Sequence, residues 1–427
     1  MLVKLFEIGI MFFCFLVFFI ISNRIYSRRF NIVNAFNILW CGGGILAVCG
    51  FYRLYEIDVI TVMVICVISC VFSITACAYS NRYVLINSEK DYLIFDSDDD
   101  FNLRIIIAMN IFAIAFTLYL SKDMILILIN EGFTTARYYF LTASENGRAY
   151  STLQIYMMYA CFSVFTATEL TLAQSIMAKK RNNILILLGI IDLIVYTVAI
   201  SGRKMILSTI LYIGLGFLYS NKKIKITFKY KILIVSGMVA LVYITLNRLL
   251  GVSVFENVYL YFIGPFKYLD IVLTQPELFK LADGLLYGCV IFGALTSTLE
   301  IIGSLLFGYP YVGIDQAVTA VSEVYYLVAP NRLMNHSSTA ALYFMMDYGY
   351  FGIIVGFAFV AILCAKSHHK ACTARKKRSV WQCLFLYFST ITFFTIVDYQ
   401  FMNWNNALVI VVLIVFTFRG KKRRCLR

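Results

Sequence analysis

The stretch MLVKLFEIGIMFFCFLVFFIISNRIYSRR, Met1 to Arg29, decides the fold. Between Val3 and Ile21 its only ionisable carboxylate and amine are Glu7 and Lys4. Such a run matches the roughly 20 mostly apolar residues that a helix needs to cross the hydrocarbon core of a bilayer. A secretory leader has a shorter apolar region and a small-residue cleavage site, and no such site precedes Ser22-Asn23-Arg24, so the stretch reads as a retained first helix.

Working outward from it, comparable runs recur at 33–51, 57–79, 103–121, 153–177, 184–200, 205–220, 232–247, 340–364, 380–397 and 404–418. With the first run at 3–21, the chain reads as an all-α, polytopic transmembrane helical bundle of eleven spans, a single integral membrane domain over 1–427. Composition agrees. Of 427 residues 61% are hydrophobic and 14% charged, where a soluble domain carries about a quarter charged, and the mean hydropathy is +0.82.

The formal charge of +14 would suggest nucleic acid as partner of a soluble protein. Here the cations sit beside apolar runs, as in Lys179-Lys180-Arg181, Lys222-Lys223, Arg375-Lys376-Lys377-Arg378 and Lys421-Lys422-Arg423-Arg424. Positive residues in that setting hold loops in the cytoplasm. The expectation is therefore no nucleic acid, a cytoplasmic C-terminus holding most of the 37 Lys and Arg on its side, and an N-terminus outside.

Most of the 12 cysteines fall within apolar runs, among them Cys14, Cys41, Cys66, Cys161 and Cys383, and read as small core residues. Cys289 stands alone in the long outer segment, which excludes a disulfide framework there. No metal-ligand spacing is visible, so neither a metal nor another cofactor is expected. The acidic DSDDD, Asp96 to Asp100, lies in a loop too short for a folded domain and reads as a solvated turn.

Three outer features remain. Asp123 to Ser151 reads as an amphipathic hairpin on the interface. Ser201-Gly202-Arg203-Lys204 is a tight corner whose two cations run against the positive-inside bias. Between the eighth and ninth spans, residues 248–339 form one long external segment with interfacial or re-entrant helices. Within it Val258 to Leu273 is interrupted by Gly264-Pro265-Phe266-Lys267, whereas Leu285 to Phe307 suits a span or the interface. Counting both as spans gives thirteen.

The outer cations Arg203, Lys204, Arg248, Arg332, Arg137 and Arg148 are candidates for binding phosphate, because a guanidinium donates paired hydrogen bonds and stays charged. Snorkelling to lipid headgroups is the alternative. His336, at the outer entrance of a span, suits a general base or, with Ser337, Ser338 and Thr339, a helix cap. Asp347 lies a short way into that span and can bind sugar or act as a base. Tyr259, Tyr261, Tyr325 and Tyr326 suit stacking on sugar rings or an interfacial aromatic belt. Glu169 and Asp192 lie inside spans, where a carboxylate is costly unless it faces the bundle interior; interior hydrogen bonding and a transporter's proton relay are the two readings.

Three stretches carry a family resemblance: SGRKMILSTILYIGLGF (Ser201 to Phe217), YLYFIGPFKYLDIVL (Tyr259 to Leu273) and NHSSTAALYFMMDYGYFGIIVGFAFVAIL (Asn335 to Leu363), the last with Asp347-Tyr348-Gly349-Tyr350-Phe351-Gly352. From about residue 100 onward the chain resembles the oligosaccharide repeat-unit polymerases, the Wzy-type O-antigen and capsule polymerases. The resemblance implies a GT-C-like fold in a bacterial cytoplasmic membrane. It also implies a metal-independent glycosyltransferase that joins undecaprenyl-diphosphate-linked oligosaccharides on the outer face, with membrane lipid, a chain-length regulator and a flippase as partners. Arg203 and Arg248 would then hold the leaving diphosphate, supported by Lys204, Arg332 and Arg137; His336 would be the base, and Tyr259 and Asp347 would bind sugar. An O-antigen ligase and a lipid-linked oligosaccharide flippase or transporter are the alternatives.

Overall fold

The computed structural model describes residues 2–26, 30–84, 93, 101–142, 152–177, 183–200, 202–220, 253–275, 285–308, 325–334, 338–374 and 378–418. The described chain is nearly all helical. The helices are α1 (Leu2–Tyr26), α2 (Ile32–Cys49), α3 (Val59–Val84), α4 (Leu103–Leu120), α5 (Lys122–Thr142), α6 (Thr152–Met177), α7 (Asn183–Ile200) and α8 (Lys204–Tyr219). They continue as α9 (Val254–Thr274), α10 (Gly293–Phe307), α11 (Ala340–Tyr348), α12 (Tyr350–Thr373), α13 (Arg378–Phe394) and α14 (Trp404–Val415). Seven of them, α1, α2, α3, α4, α6, α7 and α12, are long and apolar enough to cross a membrane. The expected span at 232–247 lies outside the described residues.

Local chemistry sets the boundaries. The Asn31 side chain caps α2 by accepting from the Asn34 N–H (2.9 Å), and α2 stops at Gly50, whose φ of 65° closes a left-handed C-terminal turn. Ser253 caps α9 by accepting from the Glu256 N–H, the Ser-x-x-Glu arrangement of a capping box. The only named strands among the described residues, β1 (Tyr326–Ala329) and β2 (Arg332–Met334), form an antiparallel ribbon turned by Asn331 at φ 60°, a conformation asparagine tolerates.

The chain divides into two compact units. The first comprises 1–91, 252–369 and 388–407; the second comprises 92–251, 370–387 and 408–427. In the first unit α1, α2 and α3 pack together, and α9 crosses α2 and α3. Its core is aromatic: Phe36 stacks on Phe72, and Trp40 meets Phe266 and Phe357 edge-on while donating from Nε1 to the Thr395 hydroxyl (3.1 Å). Gly43 lets the Phe266 ring reach α2, since a Cβ there would sit 2.7 Å from it. In the second unit α6 is central and packs on α4, α7 and α8. Asn110 and Thr168 exchange hydrogen bonds of 2.8 and 3.2 Å between α4 and α6, the kind of interior polar pairing that ties helices together in lipid.

Two expectations are corrected. The run at 340–364 is two helices, because Gly349 adopts φ 60° and ψ −145°, a conformation open only to glycine, and ends α11 after Tyr348. Gly352 and Gly356 then press α12 against α11: a Cβ at Gly352 would overlap the Phe344 carbonyl, and one at Gly356 the Phe344 ring. Of the segment 123–151 the described part, through Thr142, is helix α5, broken once at Gly132 (φ 86°). Gly264-Pro265 does not interrupt α9, which runs through Pro265 with Gly264, Pro265 and Phe266 all buried. Burial against α2 outweighs the one backbone hydrogen bond that proline forfeits.

Candidate functional site

In the first unit the loop between α2 and α3 forms a surface with α9 and the ribbon. The loop is held from both sides: the Tyr55 N–H donates to the Val328 carbonyl of β1 (2.9 Å), and Asp270 of α9 accepts from the Asp58 N–H and the Thr61 hydroxyl, each at 2.6 Å. Lys267, one turn before Asp270, donates to its other oxygen and to the Glu56 carbonyl, again at 2.6 Å. This carboxylate is 3% exposed and fully engaged, so its role is to lock α9 onto α3.

Fixed in this way, the loop presents unusual backbone. Tyr52 and Arg53 follow Gly50 at φ 54° and 61°, the left-handed region that costs side-chain-bearing residues, and both are exposed. The Tyr259 hydroxyl donates to the Leu46 carbonyl at 2.7 Å, which sets its ring 5.4 Å from that of Tyr52 and 6.1 Å from that of Phe51. Glu256, three residues before Tyr259 and so on the same face of α9, accepts from Arg332 Nε of β2 at 3.3 Å. Aromatic faces, a guanidinium and a carboxylate thus lie side by side. At the rim, Lys4 pairs with Glu56 (2.6 Å) and holds the Glu56 carboxyl below the usual carboxylate range, while partial burial raises Tyr326.

Asp347 has a different place. Its carboxylate accepts from the Val290 N–H (3.0 Å) and the Ile291 N–H (2.6 Å), while the Tyr399 hydroxyl donates to the Ile291 carbonyl at 2.7 Å. It is fully buried, at the C-terminal end of the short α11, and its oxygens hold the turn that leads into α10.

The remaining expected residues divide in two. Arg203 and Lys204 stand where α8 begins in the second unit, Arg203 half-buried at the cap position and Lys204 exposed in the first turn. α7 ends at Ile200 and α8 begins at Lys204, and a helix N-terminus adds its partial positive charge to the two cations. Arg137 lies on α5. Arg248, His336 and Arg148 lie outside the described residues. Sequence reasoning missed Phe51 and Tyr52, and Glu256 stood in it only as one of several outer carboxylates able to bind sugar or act as a base. The signal of the two aromatics is faint: an aromatic-basic FYR directly after a helix-ending glycine.

The second unit also buries Glu169 of α6 and Asp192 of α7, both 0% exposed. None of their four carboxylate oxygens has a hydrogen-bond partner. Among the described residues no three His, Cys, Asp or Glu side chains are arranged to hold a metal ion. No protein-family model matches the chain, and neither a curated protein nor a solved structure is significantly similar to it.

Proposed function

We propose that this protein is a polymerase of lipid-linked oligosaccharide repeat units: a membrane glycosyltransferase that transfers a growing chain from undecaprenyl diphosphate to the terminal hydroxyl of another lipid-linked unit, on the outer face of a bacterial cytoplasmic membrane. The observation that carries this reading is the surface of exposed Phe51 and Tyr52 with half-buried Tyr259, beside the Arg332–Glu256 pair. Flat apolar rings flanked by a hydrogen-bond donor and an acceptor suit a saccharide, whose rings carry C–H faces and hydroxyl edges. In the second unit, the paired cations at the start of α8 suit a phosphate group. A leaving diphosphate develops negative charge, which fixed guanidinium groups stabilise without a metal. In this scheme Arg203 and Arg248 hold the diphosphate with help from Lys204 and Arg137, and His336 takes the proton of the attacking hydroxyl.

A transporter is the second reading, and the unpartnered Glu169 and Asp192 favour it. Deleting the gene product and displaying the surface polysaccharide on a gel separates the possibilities. A polymerase leaves single repeat units at the surface with no ladder, a flippase leaves them on the cytoplasmic face, and a ligase leaves polymer on its lipid carrier. Restoring Arg203→Ala at normal abundance is expected not to rebuild the ladder. Tyr259→Ala should shorten it while Tyr259→Phe, which keeps the ring, preserves it. A full ladder from both alanine variants would overturn the assignment of these residues.

A further inference from the structure

The helices of the second unit bury a polar cluster for which the polymerase reading has no use. Glu169 on α6 lies against α7 where Gly189 leaves space, since a Cβ at Gly189 would stand 3.2 Å from one carboxylate oxygen and 3.5 Å from the other. Asp192 follows Gly189 by one turn on the same face of α7, near enough to Glu169 to repel it. From α8 the Thr209 hydroxyl lies beside the Glu169 carboxylate. Thr209 is 4% exposed and its oxygen makes no well-formed hydrogen bond, so a buried hydroxyl lies beside the buried, unpartnered Glu169 carboxylate.

Two bare carboxylates cannot both stay ionised in a low-dielectric interior. The cost of several kcal/mol per uncompensated ion is removed when a cation enters or a proton is bound. Among the described residues no cationic side chain compensates the cluster. The described ionisable groups around the cluster include Tyr196 of α7, Tyr212 of α8 and, beyond Tyr212, Tyr387 of α13. Arg203 and Lys204 lie more than a turn away at the start of α8, and the described ionisable side chains of α4 and α5, namely Arg104, Tyr119, Lys122, Asp123 and Glu131, are exposed. Thr209, five residues into α8, is about 7.5 Å along the axis from Lys204, so the cluster sits close below the helix corner.

We infer that Glu169, Asp192 and Thr209 form a binding site for one small monovalent cation, a proton or Na⁺, enclosed by α6, α7 and α8. Ligand oxygens come from three helices, so occupancy draws those helices together. The site does not depend on the polymerase reading.

The test uses the full-length protein in lipid nanodiscs, in NaCl or in choline chloride at equal ionic strength, from about pH 5 to 9, a range that covers documented buried carboxyl groups. Infrared difference spectra follow the carbonyl stretch of a protonated carboxyl, and thermal unfolding follows stability. If the proton is the ligand, the carboxyl band titrates in this range, ignores Na⁺, and is lost in Glu169→Gln or Asp192→Asn. If Na⁺ is the ligand, NaCl but not choline chloride weakens the band and raises the unfolding midpoint, and Thr209→Val abolishes both effects. A carboxyl band in the unmodified protein that neither titrates nor responds to Na⁺ would overturn the proposal, marking a permanently neutral pair. So would a response that persists in the double variant Glu169→Gln/Asp192→Asn.

Discussion

The two units treat buried carboxylates in opposite ways. In the first, Asp270 and Asp347 are each surrounded by donors: backbone N–H groups for both, with a hydroxyl and an ammonium added for Asp270. In the second, Glu169 and Asp192 are as deeply buried and have no hydrogen-bond partner. Satisfied carboxylates act as fasteners whose removal loosens the fold. Bare ones cost stability while empty and ionised, so their presence points to something they receive.

Substitution can break this contrast. Asp270→Ala strands the Lys267 ammonium beneath the loop and is expected to cost about 3–5 kcal/mol, read as a lower unfolding midpoint in detergent. Asp347→Ala leaves two buried N–H groups unpaired and should cost about 2–3 kcal/mol, with Asp347→Asn recovering part because it retains one acceptor. Glu169→Gln and Asp192→Asn should raise stability, by up to several kcal/mol, when assayed without Na⁺ at alkaline pH, because each removes an uncompensated buried charge. A large loss there would put these residues among the fasteners and erase the distinction. Lys4→Ala sets the lower limit, with no measurable change expected, because its partner Glu56 is fully exposed. The sign is still defined. Lys4 lowers the Glu56 carboxyl, so whatever the pair contributes is present above the ordinary carboxylate range and fades as pH falls below it.

The sequence made the helical class legible because apolar runs of membrane length leave few other structures for the backbone. The Ser201–Lys204 corner was legible too, as a glycine and two cations between two such runs. What stayed hidden was set by partners distant in the chain. Asp347 invites a catalytic reading until Val290 and Ile291, 57 and 56 residues earlier, are seen to fill its lone pairs. Gly264-Pro265 resembles a helix break until Gly43 is seen to receive the adjacent Phe266 ring. The burial cost of Glu169 and Asp192 was readable from their apolar surroundings. That they share one cluster was not, since it depends on how α6, α7 and α8 assemble.

The nine-residue α11 bears on how this protein is made. A helix of that length extends about 13.5 Å, less than half of a bilayer core, and cannot be released into lipid as an independent insertion unit. It has to be carried in by α12, to which the Gly349 reversal joins it directly. Its anchor is already waiting, because Val290 and Ile291 leave the ribosome before Asp347 does. Assembly of this region is thus ordered by synthesis: the receiving turn comes first, the short helix emerges without a stable position, and α12 follows and presses it home.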